Sequence, residues 1–282
     1  MQVEKTAEEL RERLHEWRAK GDHVALVPTM GNLHDGHLSL INLARQHAER
    51  VVVSIFVNPT QFEPGADFDD YPRTLATDKR KLKRAQADLL FVPDVETMYP
   101  FGIEGATIVS VPKYREDLCG AFRPGHFDGV TSVVSRLFGL VSPDAAVFGQ
   151  KDFQQQLVIR RMVADLHWPV EIVTGETVRE ENGLAYSSRN QYLTDGERQV
   201  APGLYAVLQQ IGRDLQAGRR NFTELEGQAM ATLSAQGFLP DYVAIRRAEN
   251  LESPDRDTDA LVVLAAARLG NARLIDNLVV DV

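Results

Sequence analysis

The chain has 282 residues, which is enough for about two domains of ordinary size. Its 31 lysines and arginines against 40 aspartates and glutamates give a formal net charge of −9, and such an acidic chain is a poor non-specific ligand for nucleic acid or an anionic membrane. The composition, 44% hydrophobic and 25% charged, excludes a disordered or fibrous chain. Cys119 is the only cysteine, which excludes an intrachain disulfide and a cysteine-based metal cluster.

The N-terminus is charged throughout and has no apolar signal core. The longest apolar run, residues 260–267, is far shorter than the ~20 residues needed to cross a bilayer. We therefore expect a cytoplasmic protein with no membrane partner. Leu10, Leu14 and Trp17 recur at helical spacing, which predicts an amphipathic helix ending near Gly21.

The first 175 residues or so then alternate strand patterns with helix patterns. Strands are predicted at 23–28, 51–57, 89–92, 107–111, 145–148 and 170–173. Helices are predicted at 38–49, about 77–87, 130–141, and from the GQKD turn to about residue 166. The sequence VVVSIFV at 51–57 is apolar on both faces, which is typical of a central parallel strand. This alternation predicts βαβ units and hence a parallel sheet.

After residue 177 the pattern changes. Two helices at 195–217 and 222–236 precede short strands at 241–246, 260–264 and 273–276. The predicted fold class is α/β, with a Rossmann-like parallel-sheet domain over 1–177 and a smaller C-terminal α+β domain over 178–282. The basic segment KRKLKR, 79–84, is interpreted as a solvated helix face.

Ligands of parallel sheets bind beyond the carboxyl ends of the strands, where this sequence places three polar turns, TMGNLHDGH, NPTQF and GQKDFQQ. In the first turn His34 and His37 lie three residues apart, where a strand gives way to a helix. A helix N-terminus suits a phosphate, Gly31 and Gly36 would allow close approach, and imidazoles can donate hydrogen bonds to phosphoryl oxygens. Two surface histidines in a loop, or a metal-binding pair, remain alternatives.

The other two turns carry neutral amides and a lysine. Asn58 and Gln61 could bind the hydroxyls and carboxylate of a small polar substrate, although an ordinary polar turn also fits. Lys151 could contact a phosphate and Asp152 a ribose hydroxyl, with Gln155 facing the same crevice; a capped helix start is the alternative.

Two further segments contain candidate residues. YSSRNQYL forms a hydroxyl-rich, cationic turn at Ser187–Arg189 that can follow a polyphosphate or simply cap a helix. AFRPGHFDGV offers Arg123 and His126 in a loop. The sequence has neither GxxxxGK[ST] nor GxGxxG, so the histidine motif would have to bind the phosphates of any nucleotide.

Taken in order, PTMGNLHDGH, FVNPTQF, RPGHFDGV, FGQKDFQQ and SSRN closely resemble the pantothenate synthetase family, the AMP-forming pantoate–β-alanine ligases of coenzyme A biosynthesis, over essentially the whole chain. HDGH also matches the HxGH signature of the wider nucleotidylyltransferase superfamily. The resemblance implies that ATP and pantoate give pantoyl adenylate and pyrophosphate, and that β-alanine then gives pantothenate and AMP. It also implies a homodimer, in which residues 1–177 form the catalytic domain and residues 178–282 act as a lid across the nucleotide.

The resemblance further implies residue roles. His37 would act as the acid toward the phosphate region, with His34, Lys151 and Arg189 as further catalytic residues. The residues expected to bind ATP are Met30, Gly31, Asn32, Leu33, His34, Asp35, Gly36, His37, Gly149, Gln150, Lys151, Asp152, Val178, Tyr186, Ser187, Ser188 and Arg189. The residues expected to bind pantoate and β-alanine are Gln61, Gln155, Asn58, Arg123 and His126.

ATP is thus expected as a substrate, with Mg²⁺ held mainly through its phosphates and no protein metal ligand assigned. No nucleic-acid partner is expected from the charge. The alternative function is nucleotidylyl transfer to a phosphorylated small molecule, which would share the HxGH turn but leaves NPTQF and the pair Gln154–Gln155 unexplained.

Overall fold

A computed structural model describes residues 1–62 and 68–282 of the chain. These residues form two units: 1–149 with 158–176, and 150–157 with 177–282. The elements of the first half are β1 (Gln2–Glu4), α1 (Ala7–Arg18), β2 (Val24–Thr29), α2 (Asp35–Ala44), β3 (Arg50–Ile55), α3 (Leu75–Arg84), β4 (Leu89–Phe91), α4 (Val95–Met98), α5 (Pro112–Arg115), α6 (Cys119–Phe122) and α7 (His126–Val141). The elements that follow are β5 (Ala145–Gly149), α8 (Phe153–Asp165), β6 (Glu171–Gly175), α9 (Asp195–Val200), α10 (Gly203–Gln216), α11 (Phe222–Ala235), β7 (Leu239–Arg247), β8 (Ala260–Leu269) and β9 (Ala272–Asp281).

The first unit is built on a six-stranded sheet in the order β1-β4-β3-β2-β5-β6, in which every neighbouring pair is parallel. The chain runs outward from β2 through β3 to β4 and then returns to the other side of β2 at β5. Ligands of open parallel sheets bind where the strand order reverses in this way. The turn after β2, which carries the two histidines, therefore lies at the favoured position.

The central strands are buried on both faces, as the sequence predicted for 51–57. Ala25, Val27, Val51 and Val53 pack in one core with residues of α2 and α3, such as Ile41. The intervening positions of β2 and β3 are also buried, because helices cover the other face as well.

The boundaries differ from prediction in a few places. The segment 107–111 is not a strand: the hydroxyl of Ser132 accepts the N–H of Val109 at 3.0 Å, and Arg136 donates to the carbonyl of Thr107 at 2.8 Å. Side chains of α7 thus bind the backbone groups that a sheet partner would have bound. The helix predicted at 195–217 is two helices separated at Pro202, which cannot continue a helix from the preceding turn. The short strand β1, which pairs with β4, was not predicted.

The second unit contains the antiparallel sheet β7-β8-β9, whose buried face packs against α10 and α11. The predicted fold class, a parallel α/β sheet followed by a smaller α+β part, is confirmed. The boundary at 177/178 and the lid role stay predictions. In the described part of the chain no helix is both long and apolar enough to cross a membrane.

Candidate active site

The turn between β2 and α2 is held in a conformation that few residues adopt. Gly31 and Asn32 have φ values of +83° and +49°, so two consecutive residues lie in the left-handed region. The N–H of Gly31 donates to the hydroxyl of Thr29 at 3.2 Å. The next two N–H groups, of Asn32 and Leu33, donate to the carboxylate of Asp78 at 3.0 and 2.9 Å. The three N–H groups after Met30 are therefore bound by the protein itself.

His34 and His37 lie together at the start of α2, as their spacing predicts. His34 is the N-cap residue, Asp35 and Gly36 open the first turn, and the two imidazole centroids are 4.0 Å apart. The backbone N–H of His34 donates to Nδ1 of His37 at 3.4 Å. Because a backbone N–H can only donate, Nδ1 of His37 is the acceptor and the ring proton is on Nε2. His37 is thus set up to donate a hydrogen bond through Nε2.

A cluster of amides follows β3. Asn58 is buried; its Nδ2 donates to the carbonyl of Gly129 at 3.2 Å, and its Oδ1 accepts the N–H of Thr60 at 3.4 Å. The carbonyl can only accept and the N–H can only donate, so the orientation of the Asn58 amide is fixed. Asn58 Nδ2 also donates to Oε1 of Gln61 at 3.0 Å, which leaves Gln61 Nε2 directed at the sulfur of Met30, 3.1 Å away. Gln61 therefore turns a donor, and not an acceptor, to the side of Met30.

Tyr99, which the sequence analysis missed, contacts this cluster through its hydroxyl. Its hydroxyl donates to Oδ1 of Asn58 at 2.7 Å and lies 3.2 Å from the hydroxyl of Thr60. Burial raises the pKa of the Tyr99 hydroxyl above its ordinary value, so the neutral donor form is favoured. The guanidinium of Arg136 stacks on the ring 4.5 Å from its centroid.

Arg123, which follows α6, and His126, the first residue of α7, hold the main chain of Gln61. Nδ1 of His126 donates to the carbonyl of Gln61 at 2.9 Å, and Nε2 of the same ring accepts from Arg123 at 2.9 Å. Arg123 also donates to that carbonyl at 3.3 Å. The carbonyl requires a proton on Nδ1, and the guanidinium of Arg123, which can only donate, requires an unprotonated Nε2. Direct contact of either side chain with a substrate stays a prediction.

The first unit thus contains two groups of predicted site residues, joined by the contact between Gln61 and Met30. One group is the turn formed by residues 30–37, and the other comprises Asn58, Gln61, Arg123 and His126. Gly149 is the last residue of β5, adjacent to β2 in the sheet.

The remaining predicted residues belong to the second unit. Gln150–Asp152 forms a single 3-10 turn, in which Nζ of Lys151 lies 3.8 Å from a carboxylate oxygen of Asp152. Asn277 of β9 donates to the carbonyls of Gln150 and Lys151 at 2.8 and 3.0 Å, and these two hydrogen bonds hold the turn in place. Gln155 lies in the first turn of α8 and is half-buried, whereas Gln154 is buried.

The SSRN segment forms a second 3-10 turn in the same unit. Ser187 caps it by accepting the N–H of Arg189 at 3.3 Å, and Ser188 is its first residue. The N–H of Tyr186 donates to the carbonyl of Val178 at 3.0 Å, so these two predicted nucleotide contacts are neighbours. A small cavity is lined by Lys151 and Ser187 together, so the two turns adjoin.

An ion pair anchors the segment that leads into this turn. Arg179 donates to both carboxylate oxygens of Asp276 at 2.6 and 2.9 Å, and its guanidinium lies over the ring of Tyr205, 3.4 Å from the centroid. Asp276 is 5% exposed, and such a bidentate pair fixes geometry as well as charge.

Sequence reasoning missed Asp78, Tyr99 and Asn277, although two of them carried a signal. Asp78 occupies a buried position one helical turn before Leu82, where an amphipathic helix carries an apolar residue. Asn277 and its neighbour Asp276 are buried polar residues in β9. An unexpected polar residue at a core position indicates a specific buried partner. The interpretation of 79–84 as a solvated face was wrong for Lys81, which donates to the carbonyl of Leu33.

Known proteins resemble this chain along its whole length. The family model described as pantoate-beta-alanine ligase matches residues 2–279. Curated proteins named pantothenate synthetase are 53% identical in Azotobacter vinelandii, over 99% of this chain and 98% of that protein, and 54% identical in Pseudomonas putida strain GB-1, over 99% and 97%.

Solved structures agree. The crystal structure of pantothenate synthetase from Thermus thermophilus is 46% identical with a TM-score of 0.92, covering 99% of both chains. The pantoate-beta-alanine ligase from Francisella tularensis, complexed with beta-gamma ATP and beta-alanine, is 30% identical with a TM-score of 0.78, covering 99% of this chain and 97% of that one. These findings favour the ligase over the nucleotidylyltransferase weighed from the sequence. The chain belongs to the pantoate–β-alanine ligase family.

Proposed function

We propose that the protein catalyses the ATP-dependent condensation of pantoate with β-alanine through a pantoyl-adenylate intermediate. The observation that carries this proposal is the family match across residues 2–279. In the first step a carboxylate oxygen of pantoate forms a bond to the α-phosphorus of ATP, and the bond from that phosphorus to pyrophosphate breaks. In the second step the amine of β-alanine forms a bond to the acyl carbon, AMP leaves, and the nitrogen loses a proton.

The amide cluster suits the pantoate subsite. Gln61 directs a donor toward Met30, and a carboxylate or hydroxyl oxygen of pantoate would accept from it more strongly than a thioether sulfur does. Oriented in this way, the carboxylate keeps its charge and its second oxygen can attack. Gln155 is the proposed second amide of this subsite.

The histidines suit the phosphate region. Charge moves onto pyrophosphate as the first step proceeds, and a donor at Nε2 of His37 would stabilise it. The N–H groups of Asn32 and Leu33 are bound by Asp78, so phosphate oxygens would be met by the histidine side chains and the start of α2. Lys151 and Arg189 are the proposed cationic contributors from the second unit.

Mg²⁺ is expected to bind through the phosphates of ATP, where it would neutralise their charge. Within residues 1–62 and 68–282, no three side chains of histidine, cysteine, aspartate or glutamate group as a metal site. A homodimer and a cytoplasmic location stay predictions from the sequence.

The test is AMP release from ATP and pantoate, with and without β-alanine, by the wild type, His37→Ala and His47→Ala. His47 follows α2 and faces Glu171, so it is a matched control. We expect AMP and pantothenate to appear together only when both pantoate and β-alanine are present. The rate of AMP release should fall roughly 100-fold or more in His37→Ala and should not fall in His47→Ala. If a folded, ATP-binding wild type released no AMP under any condition, the ligase assignment would be overturned.

A further inference from the structure

Helix α3 binds the turn that precedes the two histidines at three points. Asp78 is 1% exposed, and its Oδ1 accepts the N–H of Leu33 while its Oδ2 accepts the N–H of Asn32. The hydroxyl of Thr74 donates to the same Oδ2 at 3.0 Å, which adds a third donor to the carboxylate. Lys81, one helical turn further along α3, donates to the carbonyl of Leu33.

Successive N–H groups in a turn with left-handed residues form a concavity that binds anions. In this turn the anion is the protein's own Asp78, whose Oδ2 would lie only 3.3 Å from a side-chain carbon placed on Gly31. The concavity is therefore filled from within the protein. The Asp78 carboxylate thereby holds the turn, and with it the next residue, His34, in place.

Leu33 is bound by α3 through both of its backbone polar groups. Asp78 accepts its N–H and Lys81 donates to its carbonyl, and that carbonyl belongs to the peptide group that it shares with His34. The N–H of the same peptide group donates to Nδ1 of His37. A continuous set of contacts thus runs from α3, through one peptide group, to the imidazole of His37.

We propose that Asp78 and Lys81 are positioning residues for the adenylation step: Asp78 binds the N–H of Leu33, Lys81 binds the carbonyl of the Leu33–His34 peptide group, and together they fix the Nε2–H tautomer and orientation of His37. This inference rests on the proposed function for its kinetic part only. Asp78 contacts neither the substrate nor the reacting atoms in this scheme, so its replacement should alter the first chemical step and leave substrate affinity in place.

The kinetic test compares Asp78→Asn, Asp78→Glu and Lys81→Met with the control Lys83→Met, which changes an exposed lysine of the same helix. Asp78→Asn keeps the size but turns an N–H₂ group toward one of two backbone donors. We expect pantoate-dependent exchange of pyrophosphate into ATP to fall roughly 100-fold in this variant, as for a misplacement of about 1 Å, with KM for pantoate changed less than about threefold. Asp78→Glu keeps the charge and should recover part of the rate, Lys81→Met should lose less than Asp78→Asn, and Lys83→Met should match the wild type.

The structural test needs no substrate. The ¹⁵N chemical shifts of the His37 ring report its tautomer, assigned by comparison with His37→Ala. The wild type and Lys83→Met should show protonated Nε2 and unprotonated Nδ1, and Asp78→Asn should show averaged values. A wild-type His37 pattern and exchange rate in folded Asp78→Asn would overturn the proposal. The proposal would also be overturned if kcat and the affinity for every substrate fell equally and a lowered unfolding midpoint accounted for the whole loss.

Failure of this proposal can be distinguished from failure of the proposed function. If Asp78→Asn does not fold, Lys81→Met decides, and an unchanged tautomer and exchange rate in that variant overturn the proposal. If the wild type shows no pantoate-dependent exchange, the proposed function fails, and the tautomer measurement still tests the link from α3 to His37.

Discussion

Gly129 on α7 is the position where one added methyl group should most directly disturb the proposed pantoate subsite. A side-chain carbon built on Gly129 would lie 2.6 Å from the carbonyl carbon of Thr60 and 2.8 Å from Cα of Gln61, with the carbonyl oxygen of Thr60 closer still. Carbon atoms in ordinary contact are separated by about 3.5 Å, so the 2.6 Å contact is too short by roughly 0.9 Å. All three atoms are backbone and cannot rotate away. Gly129→Ala must therefore push α7 and the Asn58–Gln61 turn apart by about 1 Å.

The cost can be worked from these contacts. Overpacking of this kind costs about 1–3 kcal/mol in stability, and stretching the hydrogen bond from Asn58 to the carbonyl of Gly129 adds about 1 kcal/mol. A displacement of Gln61 by about 1 Å should lower kcat/KM for pantoate roughly 100-fold. The loss of activity should therefore exceed what the loss of stability alone explains, since a protein several kcal/mol stable stays folded.

Gly139 on the same helix provides the control, because nothing lies within 4 Å of a side-chain carbon built there. Gly139→Ala should raise the free energy of unfolding by about 0.5–1 kcal/mol and leave activity unchanged. Urea unfolding and steady-state kinetics with pantoate as the varied substrate measure both quantities. Wild-type stability together with wild-type kcat/KM in Gly129→Ala would refute the reasoning.

Three further predictions follow from the contacts of the site. Gln61→Glu replaces the donor that faces the proposed subsite by a charged acceptor. The variant loses a charge-assisted hydrogen bond of about 1.5–3 kcal/mol and gains repulsion, so KM for pantoate should rise at least about 100-fold in steady-state assays. An unchanged KM would exclude the assigned amide orientation. Burial raises the pKa of Tyr99, so above about pH 10 the unfolded chain loses this proton first and stability falls as pH rises. Tyr99→Phe should make that fall less steep in urea titrations from about pH 8 to about pH 11, and an equal slope would count against the buried hydroxyl. Asp276→Asn leaves the guanidinium of Arg179 without its buried carboxylate and should cost about 3 kcal/mol in urea unfolding, whereas a cost below about 1 kcal/mol would mean that the pair is not buried in solution.

The central strands of the first unit were predictable because their burial leaves a local record in the sequence. VVVSIFV carries apolar residues on both of its faces, with Ser54 as its one polar residue, and this composition is typical of a strand covered on both faces. His34 and His37 were predictable for a related reason: a spacing of three residues at a helix start places two side chains on one face whatever surrounds them. Both inferences use only the pattern of residues that are close together in the chain.

The misses depend on contacts that the local sequence does not record. The segment 107–111 has strand-like composition, but side chains of α7, from a distant part of the sequence, bind its backbone. Tyr99 lies 41 residues from Asn58, and nothing in the pattern around either residue indicates the other. Propensity describes what a segment can form alone, and a distant side chain that satisfies its backbone can override it.

The polarity of Gln61 shows how far such distant contacts determine chemistry. Its own side chain can point either way, and the sequence assigns only an amide to this position. The carbonyl of Gly129 and the N–H of Thr60 orient Asn58, and Asn58 in turn orients Gln61. Recognition of a substrate oxygen there, as proposed, would depend on groups that do not touch the substrate but leave one possible direction for the amide. The specificity of the proposed subsite would therefore depend on glycine at 129, which acts through Asn58, as well as on glutamine at 61.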